Sequence, residues 1–195
     1  ARFKHLAFNG DFDHPEQTTG VVLNHTYGPR YQLMLIGAGQ VSLYLADMAQ
    51  KLDYQVIVCD PRQEMLDQWH VDGVRLTNEM PDDAVRQFSQ DNFSAIIALT
   101  HDPRIDDMGL MEALKTRAFF VGAMGSTRTS AKRRERLLQL DLTEAEINRL
   151  HAPVGLPIGS KTPAEIAIAI LAQLTALRGE HTPSLEADFR TQHVA

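Results

Sequence analysis

One short stretch, Leu33 to Ser42 (Leu-Met-Leu-Ile-Gly-Ala-Gly-Gln-Val-Ser), limits the folds open to this chain more than any other. Four apolar residues, Leu33 to Ile36, break at Gly37 and Gly39 and pass into a helical pattern. Such a run predicts a strand, a tight turn and a helix start. Gly37 allows the sharp turn, and Gly39 allows the backbone to approach a pyrophosphate held by the helix dipole. Ser42 stands where a third glycine is usual and is small enough for close helix–strand packing. After a helix over Val41 to Leu52 comes a second strand, Gln55 to Cys59, ending in Asp60. That acid lies about 20 residues beyond the glycines, where a carboxylate meets a ribose hydroxyl. Strand, glycine turn, helix, strand and acid in this order predict a Rossmann-type nucleotide fold. A plain βαβ unit whose glycines serve only the turn is the alternative.

The alternation continues. A short helix near Gln63 to Trp69, a small strand at Val74 to Leu76 and a helix over Pro81 to Phe88 follow, with proline at the favoured first turn. The apolar strand Ser94 to Thr100 ends in His101-Asp102, Asp102-Pro103 opens a helix through Leu114, and the strand Ala118 to Val121 runs into Gly122 to Ser126. Alternating strands and helices imply an open parallel sheet covered on both faces. The last third is helical: Thr129 to Leu140, then capping boxes at Thr143–Glu146 and Thr162–Glu165. Ile166, Ile170, Leu174 and Leu177 form the apolar stripe of a core-facing helix, a C-terminal extension of the α/β fold.

The expected organisation is an arm or linker over 1–32, a Rossmann-like domain over 33–178 and a loosely held tail over 179–195. The arm carries a turn signal at Asn9-Gly10-Asp11, a short strand at Gly20 to Asn24 and a loop at Tyr27 to Tyr31. The chain opens on Ala1, so this arm reads as a connector or as what remains of a longer N-terminal region. With 195 residues there is enough chain for one sizeable core and too little for two. A net charge of −6 argues against nucleic acid as the main partner. The single cysteine rules out an internal disulfide framework and fits a reducing cytoplasm. No apolar run is long enough to span a membrane.

Ligands of an open parallel sheet bind outside the carboxyl ends of its strands. There the chain offers Gly37 to Ser42, Asp60 to Arg62, Thr100 to Asp102, Gly122 to Thr129 and the region Gly155 to Thr162. The Gly122–Thr129 loop adds three hydroxyls and Arg128, which can hold a phosphate bidentately; a plain turn with an N-cap at Ser126 or Thr129 is the alternative. His101 and Asp102, near Asp106 and Asp107, suit ligand contact, catalysis or a metal. Equally, Asp102 suits a helix N-cap and the acids suit a first turn, and no second histidine or cysteine stands at ligand spacing. Cys59 inside an apolar strand reads as a buried hydrophobe rather than a reactive thiol. The run Lys132 to Arg136 reads as a solvated helix face, or as a patch that attracts an anion.

Together these motifs resemble the XdhC/CoxI family of xanthine dehydrogenase accessory proteins. The resemblance rests on Leu35 to Val41 with Val58 to Arg62, on Leu99 to Pro103 with Asp106-Asp107, and on Phe120 to Ser126 continuing through Arg128-Thr129 to Lys132-Arg133. It extends to His151 to Leu156, Ile158-Gly159 and Thr162 to Ala167. Pro157 departs from the pattern, which usually has an acid there, and family members usually carry a further N-terminal domain. The resemblance implies a molybdenum cofactor chaperone. Such a protein binds molybdopterin or its dinucleotide form, protects it while a cysteine desulfurase replaces an oxo ligand by sulfur, and delivers it to a xanthine dehydrogenase-type apoenzyme. It also implies a homodimer. On this reading Gly37, Ala38, Gly39, Gln40 and Val41 meet a phosphate, and Asp60 with Arg62 meets a ribose or pterin. Thr100, His101 and Asp102 line the crevice, opposite Gly122, Gly125, Ser126, Arg128 and Thr129. An NAD(P)-dependent oxidoreductase with His101 as acid/base is the rival.

Overall fold

The computed structural model describes residues 5–9, 22–26, 31–88 and 91–181. Contacts divide the chain into two compact units, 1–30 and 31–195. In the first, β1 (His5–Asn9) pairs antiparallel with β2 (Val22–Thr26). The strand expected at Gly20 to Asn24 thus sits two residues later. Gly10-Asp11, the loop over 27–30 and the tail over 182–195 lie outside the described residues.

The second unit is a six-stranded, all-parallel sheet. Its strands are β3 (Gln32–Ile36), β4 (Gln55–Cys59), β5 (Arg75–Thr77), β6 (Ser94–Ala98), β7 (Phe120–Ala123) and β8 (Leu150–His151), in the order β5-β4-β3-β6-β7-β8. The first three strands therefore grow one way from β3 and the last three the other way. This is the doubly wound Rossmann arrangement, with its switch point between β3 and β6.

Alternation along each strand assigns side chains to two cores. Leu33, Leu35, Val56, Val58 and Ile97 pack beneath α1 (Gln40–Lys51) and α7 (Pro163–His181). Met34, Ile36, Ile57, Cys59 and Ile96 face α3 (Pro81–Phe88) and α4 (Pro103–Ala113), while α5 (Thr127–Leu138) and α6 (Glu144–Ile147) add Leu137 and Ile147 to that side. Nearly continuous apolar strands follow from burial on both faces. A four-residue helix, α2 (Gln63–Leu66), follows β4 and is shorter than expected.

Both capping boxes form. Thr143 and Glu146 exchange bonds at the start of α6, and Thr162 and Glu165 do so at α7. Helix α7 runs past Gly179, where the sequence pattern fades. Arg178 holds that last turn by donating to the Leu52 carbonyl at 3.0 Å and lying over the Tyr54 and Tyr31 rings. No helix among the described residues is long and apolar enough to cross a membrane.

Candidate functional site

Strand β3 ends in a turn made by Gly37, whose φ of +110° favours glycine. A Cβ there would lie 2.8 Å from Thr100 Cγ2 and 3.1 Å from the Thr100 amide nitrogen. The first glycine loop is therefore pressed against the end of β6. Ser42, wholly buried, donates from Oγ to the Gly37 carbonyl at 2.5 Å, so this serine ties the turn to α1 in place of a third glycine. Gly39 is different. It caps α1 with an ordinary φ of −86°, and nothing lies within 4 Å of a Cβ built on it. No side chain caps that helix and no acid occupies its first turn, so its positive dipole end opens onto the rim.

Asp60, with a fully buried side chain, braces the turn. Oδ2 accepts from the Ala38 amide at 2.9 Å and Arg62 Nη2 at 2.8 Å, and Oδ1 accepts from the Arg62 amide at 3.1 Å and Nε at 2.9 Å. Burial pushes this carboxyl up, but the bonds from Arg62 and Ala38 outweigh it and hold it below the usual carboxylate range. Neighbouring Cys59 is buried, donates to the Glu79 carbonyl at 3.3 Å, and has its thiol pushed up to about 12, chiefly by burial. It is the unreactive core residue that its apolar strand predicts.

A second buried carboxylate shapes the loop after β6. Asp106 Oδ1 accepts from Thr100 Oγ1 at 2.7 Å and the Thr100 amide at 3.1 Å, and Thr100 Oγ1 accepts from the Asp102 amide at 3.0 Å. This clamp forces His101 into the left-handed region at φ +65°, an unfavourable conformation for a residue with a Cβ. His101 is exposed on the rim as a result. Asp102 caps α4 and is held by Arg104. From α5, Arg133 reaches Asp106 at 2.8 Å, Asp107 at 3.2 Å and the Met124 carbonyl at 3.0 Å, while Arg136 Nε meets Asp107 at 2.6 Å. Arg134 donates to the Ile147 and Leu150 carbonyls. The basic run is therefore not a solvated face throughout: Arg133 is buried in the joint between α4, α5 and the end of β7. Ser126 caps α5, accepting from the Thr129 amide at 3.1 Å.

Two adjoining cavities result. One, of about 340 Å³, is lined by Gly39, Gln40, Val41, Arg62, Thr100 and His101 of the expected set, joined by Met65, Leu99, Met124, Lys161, Pro163 and Ile166. The other, of about 630 Å³, is lined by His101, Gly125, Ser126 and Thr129 with Pro103, Met124, Lys132, Arg133, Arg136 and Ile166. They share His101, Met124 and Ile166 and make one cleft along the carboxyl rim of the sheet. Its lining cations are Arg62, Lys161, Lys132, Arg133 and Arg136. Arg62 is paired with Asp60, and Arg133 and Arg136 with Asp106 and Asp107 behind the lining, so Lys161 and Lys132 carry its uncompensated charge. Among the described residues no Asp or Glu lines either cavity.

Of the other expected residues, Gly37, Ala38 and Asp60 stand behind the lining. Asp102 serves its helix, and exposed Arg128 lines neither cavity. Gly122 is buried in β7, where a Cβ would meet Val154 and Phe120 at 2.7 and 2.8 Å. Met65 and Ile166 are contributors that sequence reasoning missed, while Lys161 comes from the expected region Gly155 to Thr162. Among the described residues no cluster of three His, Cys, Asp or Glu side chains could hold a metal ion.

Similarity to known proteins identifies the family of this fold. The sequence profile described as the XdhC Rossmann domain matches residues 33–174. Over 161 residues the chain is 31% identical to the uncharacterized protein YqeB of Escherichia coli K12, covering 78% of this chain and 28% of YqeB. It is 27% identical over 166 residues to a probable xanthine dehydrogenase subunit of Bacillus subtilis 168, covering 85% of this chain and 48% of that protein. A match of 31% over 88 residues, 45% of this chain and 28% of the relative, is to the molybdenum cofactor insertion chaperone PaoD of Escherichia coli K12. Among solved structures, a xanthine dehydrogenase from Bacillus halodurans superposes with a TM-score of 0.69 at 28% identity, covering 82% of this chain and 46% of that one. The chain thus spans less than half the length of these relatives. With the profile match running from β3 into α7, this chain belongs to the XdhC family, and residues 33–174 are its Rossmann domain.

Proposed function

We propose that this domain holds a molybdenum cofactor, as molybdopterin or its dinucleotide form, in the rim cleft for insertion into a xanthine dehydrogenase-type apoenzyme. The observation that carries the reading is charge. In a chain of net charge −6, the cleft is lined by Lys161 at one end and Lys132 at the other, beside arginines whose carboxylate partners lie behind the lining, and by no carboxylate among the described residues. Such a surface concentrates anions. Between the charged ends lie Leu99, Met124 and Ile166, an apolar floor suited to a flat ring system. The names of the PaoD and Bacillus subtilis relatives point the same way.

The residues fit a phosphorylated pterin. The uncapped start of α1 and Lys161 would take the phosphate, and Ser126, Thr129 and Lys132 would face the other end. His101, common to both cavities, is placed to hydrogen-bond the ligand where the halves meet. The bound group supplies the molybdenum centre that the client enzyme uses; this chain makes and breaks no bond in it. Sulfur from a cysteine desulfurase would reach the held cofactor directly, because the chain's one cysteine is buried and its thiol is pushed up to about 12. A homodimer in the cytoplasm completes the proposal.

Anaerobic titration of the purified chain with molybdopterin, and separately with NADH, tests it. The expected result is micromolar or tighter molybdopterin binding that Lys161→Ala and Lys132→Ala each weaken by roughly tenfold, about one charge-assisted hydrogen bond. Tight NADH binding without a molybdopterin signal would replace this reading by an NAD(P)-dependent oxidoreductase.

A further inference from the structure

We propose that Arg62 is a specificity-determining residue: it occupies the ribose-diol subsite of this Rossmann cleft and turns away nucleotides that dock through a vicinal diol. The inference rests on the reading that the cleft takes a phosphorylated ligand, and it names a class that this cleft refuses. In Rossmann folds the acid at the end of the second strand accepts hydrogen bonds from ribose hydroxyls. Asp60 stands at that place, immediately after β4. An ionised carboxylate offers about four acceptor positions. All four of those on Asp60 are taken from within the chain, one by the Ala38 amide and three by Arg62.

The Arg62 fork presents two parallel donors, Nε to Oδ1 at 2.9 Å and Nη2 to Oδ2 at 2.8 Å, the two-donor pattern that a diol would offer. A diol would have to replace a cation with two neutral hydroxyls beside a fully buried carboxylate, which is a poor exchange. Arg62 itself lines the cavity and is 35% exposed, while Asp60 lies behind it with no exposure. The cleft therefore meets an incoming ligand with a guanidinium edge where a nucleotide-binding relative would present a carboxylate. Phosphate oxygens are tolerated there, and a vicinal diol finds no open acceptor position on Asp60.

The test compares ADP with 2′,3′-dideoxy-ADP by calorimetry on the wild-type chain, on Arg62→Ala and on Arg62→Gln, each checked for folding by circular dichroism. Wild type is expected to bind ADP no more tightly than its dideoxy analogue. Both variants should prefer ADP by roughly tenfold, the value of one hydrogen bond to a charged group. Adding Asp60→Asn to Arg62→Gln should erase that preference. A tenfold ADP preference in wild type would overturn the inference, as would variants that show no preference or bind neither nucleotide. Molybdopterin titration of wild type reads the parent proposal separately, so the failure of either is told apart from that of the other.

Discussion

Replacing Arg133 by alanine should destabilise this domain more than removing any exposed cation. The guanidinium is 6% exposed and donates to two buried carboxylates and a carbonyl: Asp106 at 2.8 Å, Asp107 at 3.2 Å and Met124 O at 3.0 Å. Deleting one partner of a buried ion pair leaves charge without compensation and costs about 3–5 kcal/mol. For a domain of this size each kcal/mol is worth roughly 2–4 °C, so the melting temperature should fall by about 10 °C. The deficit should depend on pH in a stated direction. Burial pushes the Asp106 carboxyl up, against the lowering effect of Thr100 and Arg133. A group raised in the fold contributes stability that is complete below its unfolded-state value and lost as pH rises through its folded-state value. Without Arg133 that folded-state value climbs further, so the Arg133→Ala deficit should be largest near neutrality and shrink on acidification. Urea unfolding of both proteins across about pH 5–8 reads this directly. A loss below about 1 kcal/mol, typical of an exposed pair, or a deficit that grows in acid would refute the reasoning.

The two glycines of the first loop should separate stability from binding. Gly37→Ala meets both a left-handed backbone and the Thr100 contact at 2.8 Å, so thermal melting should show a loss of about 2–4 kcal/mol. Gly39→Val meets nothing within 4 Å and should melt within about 1 kcal/mol of wild type while losing the phosphorylated ligand in a titration. Cys59, buried with its thiol pushed up to about 12, should resist iodoacetamide in the native protein and label promptly in denaturant, as read by mass spectrometry. Asp60 is held below the usual range, so it contributes stability above its unfolded value of about 3.9 and loses it as pH falls through the folded value. The gap between wild type and Asp60→Asn in acid titrations followed by circular dichroism should accordingly close below about pH 4.

Much of the fold was legible because its signals are local. The apolar run Leu33 to Ile36 and the two glycines are neighbours in sequence, Asp60 follows at the spacing of one βαβ unit, and they meet at the ends of β3 and β4. Strand β8 carried no such signal. Two residues, Leu150 and His151, have no periodicity, and they become a strand by pairing with Val121 and Gly122 and by stacking His151 on Phe120 at 4.6 Å. The strand read at Ala118 to Val121 is observed at Phe120–Ala123, since its register is set by the neighbouring β6.

The cleft was half legible for the same reason. Its glycine loops and Lys161, in the region Gly155 to Thr162, lie where topology places ligands, but Met65 of α2 and Ile166 of α7 reach the cleft only through the tertiary fold. Arg133 was misread although a clue was present. Ser130, Arg133 and Leu137 recur at helical spacing and are all buried, so the apolar stripe of α5 passes through the arginine. Gly122 and Gly37 look alike in sequence, yet the first makes room for Phe120 and Val154 and the second bends the chain.

The most direct test of the central claim is anomalous diffraction at the molybdenum edge from crystals of this chain grown anaerobically with the cofactor. The account predicts one molybdenum peak inside the cleft, between the Gly39 and Ser126 loops and near His101 and Met124. A peak elsewhere on the protein, or none at saturating cofactor, would contradict it.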